Sequence, residues 1–362
     1  MSQPLLVIAA GGTGGHMFPA QALAEEMLKL GWRVKLSTDD RGARYAGGFP
    51  GAVTREVVQA STFARGGLIA KLRAPFKIMS GIAAARGAMR RDTPSVVVGF
   101  GGYPALPAMA AAQSLGIPRL IHEQNGVLGR VNKAFATRVH KVACSVWPTE
   151  LPKGAHAVHT GNPVRQVIAE RAGAPYPDMD GALRILVMGG SQGALVMTNV
   201  VPAALAKLPD EMKARLDVSH QARPEDHDFA VNAYQEAEIK ADVQPFFENV
   251  PALLEAAHLV ISRSGASSVA DIACIGRPSI LVPLAAAIRD EQTANARGLE
   301  EAGGAIVMQE YDMSLEAMAS DVRAILGDPE RAGSMAEAAK GQGRPDAVDR
   351  LKDLVLELAE AI

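Results

Sequence analysis

Two glycine-dense stretches hold the residues best suited to chemistry. The first is Gly11, Gly12, Thr13, Gly14, Gly15 and His16, reached from an apolar run and followed by a helical pattern that Pro19 opens. Strand, glycine turn and helix aim backbone N–H groups at an anion. The spacing is neither the GxGxxG of dinucleotide folds nor a Walker loop with its lysine, which argues against a nicotinamide oxidoreductase. The second stretch is Gly189, Gly190, Ser191, Gln192, Gly193 and Ala194, again between an apolar run and a helical pattern. Two such turns in corresponding places of two halves suit a ligand with a diphosphate. Ser191 offers a hydroxyl and an N–H to a phosphate there.

Other candidates close strands and open helices. Arg263, Ser264, Gly265, Ala266, Ser267 and Ser268 do so, with Asp271 one turn further on. Small residues allow close backbone approach, and a carboxylate can accept both hydroxyls of a ribose. Ser267 and Asp271 equally suit plain capping and dipole complement. Gln292 and Asn295, behind Asp290 and Glu291, are neutral groups fit for sugar hydroxyls. Arg165, behind Gly161-Asn162-Pro163-Val164, is either a cation that reaches a diphosphate or a surface arginine. His16 is the best-placed general base, because imidazole titrates near neutrality. His122 and Glu123, past a strand end, are the second choice. These loops hold no HExxH, paired-cysteine or DxD-like set. Charge on a leaving diphosphate is therefore expected to rest on helix N-termini, Ser191 and Arg165, with no obligatory protein-bound metal and no cofactor.

The elements that must position these residues alternate along the chain. Strands are expected at 33–38, 52–58, 95–100, 119–122, 141–145 and 155–159 after the first one, then at 183–188, 216–220, 242–247, 258–262, 279–283 and 305–308, with helices between them. Such alternation means parallel, doubly wound sheets. A chain of 362 residues exceeds one comfortable core. The expected fold is α/β, two Rossmann-like parallel-sheet domains facing a central cleft. Their expected extents are 1–163 and 164–341, with a Pro-, Gly- and Asp-rich linker at 171–181. A last segment, 342–362, presents Val348, Leu351, Leu354, Val355 and Leu358 on one stripe and is expected to pack back on the first domain.

Composition narrows the partners. Aromatic content of 4% makes a single-stranded nucleic-acid stacking surface unsuitable, so no nucleic-acid partner is expected. Two cysteines, Cys144 and Cys274, are too few for a disulfide framework and suit a reducing cytosol. The opening MSQPLLVIAA lacks the basic start of a signal peptide, and its apolar run is too short to span a bilayer. Residues 1–163 hold 19 Lys and Arg against 8 Asp and Glu, while the remainder holds 18 against 31. That opposition points the first half at an anionic surface. The segment 65–91 sharpens this, with seven basic residues, no acidic one, and Leu68, Leu72, Phe76 and Met79 at helical spacing. Pro75 marks an expected break within it.

Taken together, GGTGGH at 11–16, GFGGYP at 99–104, HEQN at 122–125, GNPVR at 161–165, GGSQGA at 189–194 and RSGASSVADIA at 263–273 resemble the MurG family of peptidoglycan glycosyltransferases. So does the stretch from Gln292 to Asn295. The resemblance runs over nearly the whole chain and implies a GT-B fold. It implies inverting transfer of N-acetylglucosamine from UDP to the 4-hydroxyl of the muramoyl sugar of lipid I, giving lipid II. Carried over by position, Thr13, Gly14 and Gly15 would meet the donor's sugar-diphosphate and Asn125 its N-acetylglucosamine. Arg165 and Ser191 would hold phosphates, and Phe247 would meet uracil largely through its backbone. Ala266, Ser267, Ser268 and Asp271 would line the donor site, Gln292 would contact donor hydroxyls, and His16 would be the base. Two departures stand out: Asp271 occupies a position where the family usually has Glu, and PLAAAIRDEQ lacks the usual polar residues before the glutamine. A lipid-linked acceptor also explains 65–91 as an amphipathic basic segment on the anionic cytoplasmic leaflet. The implied place is peripheral, on the cytoplasmic face of the bacterial inner membrane, with cell-wall synthesis proteins as candidate partners.

Overall fold

The computed structural model of the protein describes residues 3–44, 46–57, 68–190, 193–285 and 288–361. The chain divides into two compact units, residues 1–165 with 346–362, and residues 166–345.

The first unit is built on seven strands: β1 (Leu5–Ala9), β2 (Arg33–Thr38), β3 (Thr54–Val57), β4 (Val96–Gly99), β5 (Arg119–Glu123), β6 (Lys141–Cys144) and β7 (Ala157–His159). They lie in the order β3-β2-β1-β4-β5-β6-β7, every pair parallel. Strands β1 and β4 are buried along their whole length, which is why they read as unbroken apolar runs rather than alternating ones. On one face Leu6, Ile8, Val98 and Phe100 pack with Met17 and Leu23 of the helix Gly14–Lys29, and with Leu351, Leu354, Val355 and Leu358. The last four are the apolar stripe of the closing helix Ala347–Glu360, which thus belongs to this core. On the other face Val7, Val97 and Ile121 pack with Met109 of the helix Ala105–Ser114 and with Ala85 and Met89. Those two lie on the helix Leu68–Arg91, which runs through Pro75 without the expected interruption. Its other face leaves Phe76 76% and Met79 68% exposed.

The second unit repeats the plan with six strands, β8 (Leu183–Met188), β9 (Leu216–Gln221), β10 (Lys240–Gln244), β11 (Leu259–Ser262), β12 (Ser279–Leu281) and β13 (Ala305–Val307). Their order is β10-β9-β8-β11-β12-β13, again all parallel. Strand β10 ends at Gln244, paired with Gln221, rather than running to 247. Pro245 follows it and has no N–H to extend the ladder.

Each sheet winds outward from its first strand in both directions. The order reverses between β1 and β4 in the first unit and between β8 and β11 in the second. In open α/β sheets ligands bind beyond the carboxyl ends of the strands at such a switch point. Both glycine turns leave the strands that define one.

Candidate active site

In the first unit the glycine turn is anchored by Asp39, buried at the end of β2. Its Oδ1 accepts from Gly12 N at 3.1 Å and Gly42 N at 2.9 Å, and Arg41 Nε donates to its Oδ2 at 3.2 Å. Thr13 then caps the helix in extended conformation, and Gly14 and Gly15 open it. His16 N donates back to the Thr13 carbonyl at 3.2 Å, while the Gly14 and Gly15 amides at the helix start have no acceptor within the helix, the feature that suits such a turn to an anion. The loop after β4 closes over the same spot. Gly102 has φ +72, and a Cβ on it would lie 3.2 Å from the Gly11 carbonyl and 3.5 Å from His16 Cδ2. A side chain there would be strained by the positive φ and would crowd the Gly11 carbonyl. Arg165, at the end of this unit, lays its guanidinium 5.0 Å from the ring centre of Phe18, one turn into the same helix. The structure thus gathers Thr13, Gly14, Gly15, His16 and Arg165 around one helix start.

His16 is half-buried, and its Nδ1 lies 2.8 Å from Gln124 Oε1. Behind it, His122 is fully buried, with Nε2 3.2 Å from the Gly161 carbonyl. Burial pushes the His122 imidazole down to about 4, so it is neutral at physiological pH. Fully buried and only weakly basic, it is out of reach of an acceptor hydroxyl and a poor replacement for His16 as base. Glu123 is corrected as well. Its Oε1 accepts from Asn125 N and Nδ2 at 3.1 and 3.2 Å, and its Oε2 from Gly129 N at 2.8 Å and Asn132 Nδ2 at 2.9 Å. Four donors occupy the lone-pair sites of a buried carboxylate. Glu123 holds the loop 123–132 in shape and places Asn125, and is not poised to take a substrate proton.

The buried histidines carry a stability cost at acid pH. His220, hydrogen-bonded through Nδ1 to the Tyr234 hydroxyl at 2.8 Å, is also held near 4 by burial. For both, the folded value lies below the unfolded value of 6.5, so between about 6.5 and 4 the unfolded chain binds more protons. Stability is therefore full above that window and is lost as pH falls through it, by up to roughly 3 kcal/mol per histidine. Thermal melts from pH 7.5 down to 4.5 should show a falling Tm, and a flat profile would count against neutral burial of these rings.

In the second unit, β8 delivers Gly189 and Gly190, and the turn closes through a hydrogen bond from Gly193 N to Gly190 O before the helix Leu195–Leu205. Ser191 lies outside the described residues. The neighbouring strand β11 delivers Arg263, Ser264 and Gly265, and the helix Ala266–Ile275 starts there. The Oγ atoms of Ser264 and Ser267 are buried and have no hydrogen-bond partner. Buried hydroxyls are normally satisfied, so an orphaned pair at a helix N-terminus is the arrangement that a bound anion or hydroxyl completes. Ala266, Ser267 and Ser268 form the first turn, and Asp271, four residues after Ser267, shares its face of the helix.

Loops from β12 and β13 brace this site. Gln292 Oε1 accepts from Leu284 N at 3.0 Å, which ties its side chain to the loop after β12. Asn295 Nδ2 donates to the Ser264 carbonyl at 3.1 Å, so it shapes the serine loop rather than facing outward. Phe247 is buried, and its neighbour Phe246 is 68% exposed. Three residues complete the frame: Arg263, which the sequence offers as the start of the serine run, and Glu310 and Gln124, to which it assigns no role. Arg263 Nη1 donates to the Val282 and Pro283 carbonyls at 3.2 and 3.1 Å and pairs with Glu310 Oε2 at 2.7 Å. Glu310 also accepts from Ala285 N at 3.2 Å. Gln124 is the third. Only an arginine opening RSGASS could have flagged the first of these in advance. Among the described residues no group of three His, Cys, Asp or Glu side chains is placed to hold a metal ion.

Two parallel doubly wound units, each with an anion turn at its switch point, place the chain in the GT-B class of glycosyltransferases. Residues 6–144 match the Glycosyltransferase family 28 N-terminal domain and residues 184–351 its C-terminal domain. A protein of Caulobacter vibrioides named UDP-N-acetylglucosamine–N-acetylmuramyl-(pentapeptide) pyrophosphoryl-undecaprenol N-acetylglucosamine transferase is 48% identical over 98% of this chain and 99% of its own length. A protein of the same name from Phenylobacterium zucineum is 46% identical over 98% of both chains. The crystal structure of Acinetobacter baumannii MurG matches with a TM-score of 0.80 and 31% identity, covering 98% of this chain and all of its own. The chain belongs to the MurG family.

Proposed function

We propose that this enzyme transfers N-acetylglucosamine from UDP-N-acetylglucosamine to the 4-hydroxyl of the muramoyl sugar of lipid I, releasing UDP and lipid II. The observation that carries the reading is His16, an imidazole set in an anion-binding turn with one nitrogen tied to Gln124 and the other unengaged by any described residue. In one displacement the acceptor oxygen gives its proton to His16 and bonds to the anomeric carbon. The bond from that carbon to the β-phosphate oxygen breaks, its electron pair leaving with UDP. Attack opposite the leaving group inverts an α-linked donor to a β-linked product.

The remaining residues take the roles that the family pattern assigns them. Thr13, Gly14, Gly15 and Asn125 meet the sugar and diphosphate, Arg165 and Ser191 the phosphates, and Phe247 the uracil. The serine helix start with Asp271 takes the ribose side, and Gln292 the donor hydroxyls. Helix N-termini and Arg165 supply enough positive potential for the leaving diphosphate that no bound metal is required. The test is incubation with UDP-N-acetylglucosamine and lipid I in membranes, with and without EDTA. Disaccharide product should form in both. A folded, UDP-binding protein that yields none overturns the assignment, and loss of product only with EDTA overturns the metal-free reading.

The acceptor's lipid sets where the enzyme works. No helix among the described residues is long and apolar enough to cross a membrane. The exposed Phe76 and Met79, with Lys77 between them, support peripheral attachment to an anionic leaflet. Burying the two apolar side chains is worth about 2–3 kcal/mol together. Replacing both with serine should therefore weaken binding to phosphatidylglycerol vesicles by at least roughly tenfold in a sedimentation assay, with turnover on a detergent-soluble acceptor unchanged. Equal binding of the two proteins would contradict it.

A further inference from the structure

We propose that Gln124 and His122 are positioning residues that fix the tautomer of His16, through a hydrogen-bond chain that ends on the Gly161 carbonyl. The proposal rests on His16 being the base, and adds what makes it one.

The direction of the chain follows from groups that can act in one way only. Gln124 Nε2 lies 3.0 Å from the backbone carbonyl of His122, which can only accept, so this end of the side-chain amide is the NH2. The same nitrogen lies 3.0 Å from His122 Nδ1, which must therefore accept its second hydrogen. A neutral imidazole that accepts at Nδ1 carries its proton on Nε2, and His122 Nε2 faces the Gly161 carbonyl at 3.2 Å, again an obligate acceptor, with the Ser145 hydroxyl, able to act either way, further off at 3.4 Å. The two ends of His122 agree. With its NH2 spent, Gln124 turns Oε1 toward His16 Nδ1 at 2.8 Å. An amide oxygen cannot donate, so His16 Nδ1 holds the proton and Nε2 keeps its lone pair. That is the form able to accept a proton from a hydroxyl. In free histidine the opposite tautomer, protonated on Nε2, is the commoner one and could not act as a base through that atom.

Burial gives the chain its rigidity. Gln124 is 1% and His122 0% exposed, and Asn132 Nδ2 donates to the His122 carbonyl from the far side at 3.1 Å. Rotating the Gln124 amide by half a turn would set its oxygen against a carbonyl and leave its NH2 facing the His16 proton, at a cost of two buried hydrogen bonds. The neutral state of His122 is a requirement of the same arrangement, because a proton on its Nδ1 would oppose the amide hydrogen.

The test reads the tautomer directly. Nitrogen-15 shifts of His16 in the intact enzyme, followed upward in pH until they no longer change, should show Nδ1 as the N–H nitrogen and Nε2 as the bare one. The reverse pattern overturns the proposal whatever the fate of His16 as base, and His16→Ala tests that base reading separately. Gln124→Leu should lower kcat roughly 10- to 100-fold, leave KM for UDP-N-acetylglucosamine within about twofold, and move His16 toward the other tautomer. Gln124→Glu keeps an acceptor facing Nδ1 and should hold the wild-type tautomer, but its second oxygen then faces the His122 carbonyl, so kcat should recover only in part, to above that of the Leu variant. A Leu variant that loses turnover with its tautomer unchanged, or a folded Glu variant that restores neither, overturns the relay. Should the Leu variant not fold, the wild-type spectrum still decides.

Discussion

His16→Ala should lower kcat by about 100- to 10,000-fold, the usual worth of a positioned general base. KM for UDP-N-acetylglucosamine should stay within about threefold, because the turn's anion-binding groups are backbone amides that the substitution leaves in place. The side chain is half-buried and hydrogen-bonds Gln124, so thermal melts must show that the variant folds. Steady-state kinetics at saturating substrates then separate the roles. A kcat within a few-fold of wild type would mean that another group takes the proton. Among the described residues no ready substitute lies nearby, since His122 is fully buried and weakly basic and Glu123 is fully engaged with its own loop.

The second large effect lies in a residue that touches no substrate. Arg277 is fully buried between Gly276 and Pro278 and spends its guanidinium on backbone carbonyls. Its Nε donates to Leu254 and Glu255, its Nη1 to Ala174 and Gly276, and its Nη2 to Pro175 and Glu255, at 2.6 to 3.2 Å. Those carbonyls include the C-terminal ends of the helices Val250–Ala256 and Ala266–Ile275, where helix dipoles favour a cation. Desolvation lowers the Arg277 pKa, and the nearby Tyr176 and Glu255 side chains act the other way, so these groups together with the carbonyls make the buried charge tolerable. Arg277→Met should cost about 3–5 kcal/mol by stranding several carbonyls. In a unit of this size that is a Tm lower by roughly 10 °C. Arg277→Lys should recover only part, because one ammonium cannot reach three chain segments. A melting point within about 2 °C of wild type for the Met variant would refute the role.

Arg277 shows what the amino-acid sequence does not reveal. A lone arginine between glycine and proline carries no periodicity, and its acceptors come from segments that are far apart in the chain. Strands, by contrast, were legible because a parallel strand buried on both faces is written as an apolar run, and LLVIA and LVIS announce themselves. Where an apolar run continues past its hydrogen-bonding partner, as at Phe246 and Phe247, the sequence pattern extends the strand too far, and Pro245 sets the true end. Pro75 misled in the other direction, since the helix through it continues.

The site divides in the same way. Glycine turns and small-residue helix starts are local patterns, so His16, Gly14, Gly15 and Ser267 could be singled out from their neighbours alone. Glu123 drew attention as a carboxylate after a strand end, yet its role depends on donors at 125, 129 and 132 that only folding brings round it. Gln124 drew none, because an amide has no chemistry of its own until it is seen between two imidazoles. Arg263 opens a recognisable run, but its partner Glu310, 47 positions away, is not legible from it.

The most direct test of the central claim is the anomeric configuration of the bond formed from UDP-N-acetylglucosamine and lipid I, read by proton NMR on the isolated disaccharide product. One displacement with His16 as base predicts a β-linked N-acetylglucosamine and none of the α anomer. An α-linked product would require retention, and with it a different mechanism from the one these residues are arranged to perform.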